Sequence, residues 1–304
     1  MLDLRPLAAP NLARLSGAAK VANDYLTLTK PPIILLLVIT AIGGMFLAAQ
    51  GVPSLKIVIL VCLGGSLGAG GANALNHYMD RDIDQIMSRT WQRPVASQRI
   101  SRRHALAFGI LLNLLAFMVL ALWVNLLAAT LTLAATLFYV LVYTNWLKRT
   151  THHNIVIGGA AGAIPPLVGW AGVTGGLDLP ALYLFAIVFF WTPPHFWALS
   201  LLIQEDYRRA GIPMLPVVAG VEYTVLNIFL YSLVLVALAL LLAVTPAAGG
   251  VYLTAAAVLG AAFVALAWRL KIDPSKRRAR HLYLYSLLYL ALLFVAMITD
   301  TTLG

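Results

Sequence analysis

The sequence contains a single cysteine, Cys62, among its 304 residues. A disulfide within the chain and a metal site built from several cysteines are therefore excluded. Acidic residues are also scarce, because only 11 aspartates and glutamates stand against 21 lysines and arginines. Neither a glycine-rich nucleotide-binding loop nor a triad around a serine, cysteine or histidine nucleophile is evident. Any chemistry that the chain performs must depend on a small number of polar residues.

Long apolar runs dominate what is present. Hydrophobic residues form 61% of the chain and the mean hydropathy is +0.88, which indicates an all-α polytopic membrane protein. A transmembrane β-barrel is excluded, because its strands would alternate apolar and polar residues. Nine runs are long enough to cross a bilayer as helices, with the third and fourth separated only around Trp123-Val124-Asn125. They lie near residues 31–50, 55–76, 104–123, 125–145, 154–174, 179–203, 223–245, 249–269 and 282–300.

Lysines and arginines collect in every second connection between these runs. The opposite connections carry only Lys56. By the positive-inside rule, this alternation predicts nine spans with a cytoplasmic N-terminus. We therefore divide the chain into a cytoplasmic N-terminal segment, residues 1–30, and an intramembrane domain, residues 31–304. The net charge of +10 reflects membrane topology and does not indicate nucleic-acid binding.

The end of the second apolar run carries a group of acidic side chains. Asn76, Asp80 and Asp84 are spaced i, i+4, i+8, so on a helix they share one face, whereas Asp82 points elsewhere. Carboxylate oxygens can hold a hard divalent cation, and the five arginines between residues 89 and 103 can bind phosphate oxygens. This pattern favours a site for a Mg²⁺-bound diphosphate. The alternative is a solvated charged loop that only anchors the topology.

Two further connections on the basic side are rich in polar residues, 143–154 and 204–216. Five of the eleven acidic residues lie either in the segment 80–84 or at positions 205 and 206. We expect the three connections to converge on one polar mouth above an apolar cavity. A diphosphate bound at such a mouth, with its hydrocarbon tail in the bundle, is an isoprenyl diphosphate. Its ionisation needs charge neutralisation on the leaving group and no side-chain nucleophile.

Six blocks between residues 28 and 216 form a recognisable series. They are Leu28 to Pro31, Asn76 to Pro94, Tyr143 to Gly159, Gly162 to Trp170, Trp191 to Leu199 and Asp206 to Pro216. With Asn76-x3-Asp80-x3-Asp84, the chain resembles the UbiA superfamily of intramembrane prenyltransferases. Its Pro-Pro-His-Phe block (193–196) and Gly-Ile-Pro-Met-Leu-Pro block (211–216) resemble the haem-farnesylating members of that superfamily.

The resemblance implies roles for individual residues. Mg²⁺ and the diphosphate would be held by Asn76, Asp80 and Asp84. The basic diphosphate-binding positions would be Arg89, Arg93, Lys148 and Arg149. Asp206 is counted with the catalytic carboxylates, although Glu205-Asp206 departs from the second Asp-rich motif that other members have here.

His195 follows Pro193-Pro194 in the sixth apolar run. Proline frees backbone carbonyls, and a local opening of a membrane helix is tolerated only inside protein or along a cavity. We therefore expect His195 to face the reaction chamber, where the resemblance implies that it binds haem through the iron or a propionate. The alternative is a buried histidine that is hydrogen-bonded to a neighbouring helix.

The resemblance also implies a reaction and its partners. A farnesyl group would pass from farnesyl diphosphate to the vinyl group of haem B, with addition of water, giving haem O. The chain would lie in the bilayer of a bacterial cytoplasmic (inner) membrane, with the active-site mouth facing the cytoplasm and a haem-modifying or terminal oxidase assembly protein downstream. The alternatives are another intramembrane prenyltransferase with an aromatic or chlorophyll-type acceptor, and an ion-coupled transporter.

Overall fold

The computed structural model describes residues 17–303, so residues 1–16 of the predicted N-terminal segment lie outside the described part of the chain. The described residues form helices and no strand. The helices are α1 (Gly17–Thr29), α2 (Pro31–Ala49), α3 (Leu55–Met79), α4 (Arg81–Ile86), α5 (Arg102–Trp123), α6 (Leu126–Leu137), a π-helical segment (Phe138–Leu147), α7 (Lys148–Thr150), α8 (Asn154–Gly162), α9 (Pro165–Thr174), α10 (Leu179–Leu202), α11 (Gln204–Arg209), α12 (Leu215–Val218), α13 (Gly220–Leu242), α14 (Gly250–Ile272) and α15 (Lys276–Leu303).

Nine helical stretches in the described part of the chain are long and apolar enough to cross a membrane. Six of them are single helices of 19–25 residues and one, α15, has 28. The fourth span joins α6, the π-helical segment and α7, and the fifth joins α8 and α9. The nine predicted runs are thus confirmed. The boundary between the third and fourth spans lies where the sequence predicts it, because α5 ends at Trp123 and the side chain of Asn125 accepts the amide of Ala128 at 2.8 Å.

Glycine allows neighbouring spans to approach closely. A Cβ atom placed on Gly71 of α3 would stand 2.2 Å from Asn113 of α5, and one placed on Gly169 of α9 would stand 2.1 Å from the carbonyl oxygen of Ala41 in α2. Both distances are far below van der Waals contact. Backbones can therefore pack directly against each other, as expected for helices whose association relies on packing within a bilayer.

The turn from α3 into α4 positions the acidic segment. Asp80 is the single residue between the two helices, with φ −90° and ψ 9°. The helical hydrogen-bond pattern nevertheless continues, since the amide of Asp80 donates to the carbonyl of Asn76 and the amide of Asp84 donates to that of Asp80, each at 2.8 Å. The i, i+4, i+8 register assumed from the sequence is therefore retained.

Two of the spans contain features that depart from a regular α-helix. The π-helical segment widens the fourth span just before Lys148, a type of irregularity that is frequent at functional sites. Helix α10 contains Pro193 and Pro194 in its interior and continues without interruption to Leu202. The sixth span is therefore not interrupted at these prolines. Only the helical hydrogen bonds that the missing N–H groups of the two prolines would donate are lost.

Candidate active site

The site centres on three buried polar side chains at the end of α3 and in α4. Asn76, Asp80 and Asp84 are 4%, 0% and 2% exposed. Asn76 Nδ2 donates to Asp80 Oδ2 at 2.7 Å and to Thr144 Oγ1 at 3.2 Å. The shared face predicted for these residues is thus formed, and it points into the protein. By contrast, the Asp82 side chain is 64% exposed, as its different helical position requires.

Three basic side chains contact this face. Lys148 Nζ lies 2.5 Å from Asp80 Oδ2, and Arg93 Nη1 lies 2.8 Å from Asp84 Oδ1 and 2.9 Å from Oδ2. Lys30 Nζ donates to Asn76 Oδ1 at 2.8 Å. Burial, followed by the positive charge of Arg93, holds the pKa of Lys30 well below its usual range. Lys148 and Arg93 balance the charge of the two buried carboxylates, and Lys30 adds a further N–H donor, a combination that suits an anionic ligand.

Arg149 contributes at the edge of the site. Its Nη1 bonds Asp82 at 2.7 Å, and its Nη2 bonds the carbonyl of Met79 at 3.0 Å and lies 3.8 Å from Asp80 Oδ1. The hydrogen bond from Arg149 lowers the pKa of Asp82 to about 2, against a smaller opposing effect of burial. The pair remains charged at neutral pH and fixes the guanidinium next to the buried carboxylates.

The third polar connection reaches the first through Asp206. Ser88 Oγ lies 2.8 and 2.7 Å from the two carboxylate oxygens of Asp206, which also pairs with Arg209. Burial raises the pKa of Asp206, but the hydrogen bonds from Ser88 and Arg209 outweigh it and the net shift is downward. The predicted convergence of the three connections is confirmed by these bonds together with the Lys148–Asp80 pair. Asp206 itself bonds neither Asp80 nor Asp84 among residues 17–303.

Aromatic rings line the same region. The rings of Tyr139 and Tyr143 stack with centroids 5.5 Å apart. Burial raises the pKa of Tyr207 to about 12, and the positive charges of Arg89 and Arg93 act in the opposite direction. Arg89 itself is exposed and forms no ion pair within residues 17–303, so its predicted contact with diphosphate stays a prediction.

The donor set fits a hard divalent cation. The Oδ1 atom of Asp80 is fully buried and accepts no hydrogen bond, and an orphaned carboxylate oxygen is costly unless a cation compensates it. No group of three histidine, cysteine, aspartate or glutamate side chains suited to a metal ion occurs in the described residues. Two carboxylates with the amide of Asn76 would thus make an incomplete cage, which is the arrangement that Mg²⁺ uses when substrate phosphates complete its ligands.

His195 of α10 contacts α15, and none of its hydrogen bonds or ring contacts within residues 17–303 involves the acidic face. Its Nδ1 is 2.7 Å from Ser286 Oγ. Its ring stacks on Trp191 (centroids 4.3 Å apart) and on Tyr283 (5.0 Å). The sequence analysis also allowed a buried histidine that is hydrogen-bonded to a neighbouring helix, and this is what the structure has at Nδ1. Nε2 forms no hydrogen bond to residues 17–303, and the ring is only partly buried, so a role for this atom in haem binding stays open as a prediction.

Several residues of the site were not identified from the sequence. Four of them appeared there only inside sequence blocks, with no role assigned to them: Lys30, Ser88, Thr144 and Tyr207. Tyr139 carried no local signal. Lys30 does have a positive φ of 54°, which turns the chain sharply between α1 and α2 and brings its side chain to Asn76. Only the following Pro31-Pro32 pair indicates a fixed turn at this point in the sequence.

A comparison with known protein families defines the class of the protein. Residues 37–297 match the model of the UbiA prenyltransferase family. The chain belongs to this family, and it is an integral membrane protein.

Individual members of the family are similar to the chain over most of its length. The chain is 54% identical over 286 residues to a protoheme IX farnesyltransferase of Roseiflexus sp. (strain RS-1), covering 94% of this chain and 54% of that protein. It is 52% identical over 287 residues to a protoheme IX farnesyltransferase of Symbiobacterium thermophilum, covering 94% of this chain and 96% of that protein. The chain thus spans about half the length of the Roseiflexus relative and nearly all of the Symbiobacterium relative. A UbiA homologue from Archaeoglobus fulgidus bound to DMAPP and Mg²⁺ has the same fold, with a TM-score of 0.65, 18% identity and coverage of 91% of this chain and 99% of that one.

Proposed function

We propose that this protein transfers the farnesyl group of farnesyl diphosphate to the vinyl group of haem B, with addition of water, and so makes haem O. The observation that carries the prenyltransferase part is the buried face of Asp80 and Asp84 with Lys30, Lys148 and Arg93 around it. The identity of the acceptor rests on the similarity to protoheme IX farnesyltransferases, including one that the chain covers almost completely.

The roles of the polar residues follow from their positions. Asn76, Asp80 and Asp84 would hold a divalent cation, Mg²⁺, which neutralises charge on the leaving diphosphate when it is bound. Lys148 and Arg93 lie against the same carboxylates, so their remaining N–H groups can donate to phosphate oxygens that share the site. The bond that breaks joins farnesyl C1 to the diphosphate oxygen, which keeps the electron pair.

The allylic cation that remains needs protection from water until the acceptor attacks. Tyr143 and Tyr139 present stacked rings at the end of the fourth span, and aromatic faces stabilise cations through their negative quadrupole. The vinyl carbon of haem then forms the new bond to farnesyl C1. Water adds to the resulting cation on the porphyrin side and loses a proton, which leaves the hydroxyethylfarnesyl product.

His195 is the residue that we assign to the acceptor. It lies on α10 between the rings of Trp191 and Tyr283, and flat aromatic surfaces of this kind can accommodate a porphyrin. Its unengaged Nε2 atom can bind haem iron. The basic end of the bundle, with the acidic face, would lie on the cytoplasmic side of a bacterial inner membrane. We expect the product to pass to a haem-modifying or terminal oxidase assembly protein.

The decisive experiment supplies purified protein with haem B, farnesyl diphosphate and Mg²⁺ and identifies the haem products by mass. We expect a product heavier than haem B by one farnesyl group plus one hydroxyl group, and no product when EDTA replaces Mg²⁺. A parallel reaction offers an aromatic acid in place of haem. Prenylation of that acid with haem left unchanged would contradict the proposal and support the alternative prenyltransferase.

A further inference from the structure

Ser286 forms hydrogen bonds with two aromatic side chains of α10. Its Oγ lies 2.7 Å from His195 Nδ1, and its backbone carbonyl accepts Trp191 Nε1–H at 2.8 Å. Ser286 is 0% exposed and lies on α15, 91 residues further along the chain than His195. The rings of Trp191 and His195 also stack on each other, 16° from parallel. One residue of the last helix therefore holds the ring pair in place.

The hydroxyl group of Ser286 has a single hydrogen. Its Oγ donates that hydrogen to the carbonyl of Tyr283, 2.6 Å away, which is the common arrangement for a serine inside a helix. The same oxygen can then only accept from His195, so the hydrogen of the neutral imidazole is on Nδ1. The lone pair of the ring is consequently on Nε2, the nitrogen atom that no residue of the described chain engages.

We propose that Ser286 is a positioning residue for the acceptor: it fixes the Nδ1–H tautomer and the orientation of His195, so that Nε2 presents its lone pair to the iron of an iron porphyrin. This inference rests on the proposed function, because it takes haem as the acceptor. A histidine that binds a metal usually donates its other N–H to such a partner, which fixes the ring and makes it a better ligand. Tyr283, one turn before Ser286, adds a second ring against the imidazole.

The chain offers a matched control for this role. Ser232 in α13 is also 0% exposed, and its Oγ donates to the carbonyl of Ile228 at 2.6 Å. Within residues 17–303, Ser232 forms no hydrogen bond to a histidine. Replacing either serine with alanine removes a buried hydroxyl bonded to a helix carbonyl, but only the change at Ser286 removes the partner of His195.

The test measures haem binding by purified Ser286→Ala, Ser286→Thr, Ser232→Ala, His195→Ala and the Ser286→Ala/His195→Ala double variant. Titration with haem B gives the affinity, and the Soret band reports iron ligation. We expect Ser286→Ala to weaken haem binding on the order of 10-fold and to move the Soret band toward that of His195→Ala. Ser286→Thr, which keeps the hydroxyl, and Ser232→Ala should keep the parental band. Binding of a farnesyl diphosphate analogue with Mg²⁺ should not change in any of the variants.

The double variant separates positioning from packing. If Ser286 acts through His195, the double variant binds haem no more weakly than His195→Ala alone. Additive losses would overturn the proposal, and so would a parental Soret band in Ser286→Ala while His195→Ala has an altered one. Parental haem binding by His195→Ala would also overturn the proposal, because Ser286 would then have no iron ligand to position. Failure of the proposed function itself is a different result: the parent protein would not farnesylate haem.

Discussion

The exchange of Asp80 for asparagine, compared with the same exchange at Asp82, tests the buried acidic face most directly. The two residues are two positions apart and receive the same isosteric change. Asp80 is 0% exposed and pairs with Lys148 at 2.5 Å. Asp82 has a side chain that is 64% exposed and pairs with Arg149, itself 33% exposed. Burial and the identity of the partner therefore distinguish the two substitutions.

The expected magnitudes differ widely. Removing one partner of a buried ion pair costs about 3–5 kcal/mol, and losing one group that stabilises transition-state charge costs roughly 10²–10³-fold in kcat. We expect Asp80→Asn to lose at least that factor in haem farnesylation. An exposed ion pair contributes about 0–1 kcal/mol. The rate of haem farnesylation by Asp82→Asn should therefore fall by no more than about fivefold.

The assay is the rate of haem farnesylation by purified protein at saturating Mg²⁺, with thermal unfolding of each variant as the control for folding. If Asp82→Asn lost as much activity as Asp80→Asn while both proteins stayed folded, the buried face would not be the catalytic one. Parental activity in Asp80→Asn would equally refute the assignment of the metal to this face.

Two further substitutions test the surroundings of the face. Lys30→Met should weaken binding of a farnesyl diphosphate analogue by roughly 10- to 150-fold, the equivalent of about 1.5–3 kcal/mol for a charge-assisted hydrogen bond. Lys56→Met, in the first turn of α3 at the opposite end of that helix, should leave the affinity unchanged. Equal affinities of the two variants in a titration would show that Lys30 only anchors the chain. Gly158→Ala places a Cβ atom 2.2 Å from the Tyr143 ring. This clash should cost about 1–3 kcal/mol of stability, which lowers the Tm, or displace the ring, which lowers the turnover rate. Gly162→Ala, whose Cβ would meet nothing within 4 Å, is its control, and an equal loss in both variants would exclude the ring as the cause.

The nine spans and the acidic register could be predicted because each depends on local sequence. A run of about twenty apolar residues is long enough to cross a bilayer whatever it packs against. The spacing of Asn76, Asp80 and Asp84 determines a shared face as soon as the segment is helical. The hydrogen bonds through Asp80 show that the one non-helical residue leaves this register unchanged.

The hydrogen-bond partners of Asn76 and Asp206 could not be predicted, because they come from distant parts of the chain. Lys30 is 46 residues from Asn76 in sequence, and Ser88 is 118 residues from Asp206. Nothing in the sequence around Ser88 distinguishes it from an ordinary loop serine. A π-helical stretch likewise has no reliable local signature, so the position of Thr144 against Asn76 became visible only in the folded chain.

The positive-inside pattern also conceals part of the site. A lysine or arginine at the basic end of a membrane helix satisfies the topology rule whether or not it has another role, and that rule alone does not distinguish Arg149 from Arg277. In the structure, Arg149 contacts Asp82 and lies beside the buried Asp80, whereas Arg277 has an exposed side chain and no ion pair within residues 17–303. Burial against a carboxylate is therefore the property that separates a ligand-binding cation from a topological one. By this criterion Lys148 and Arg93 form the anion-binding pair, with Arg149 at its edge. Lys30 adds an N–H donor beside them through its bond to Asn76, so that a diphosphate arriving with its metal ion meets charge-assisted donors next to the carboxylates that would hold the metal.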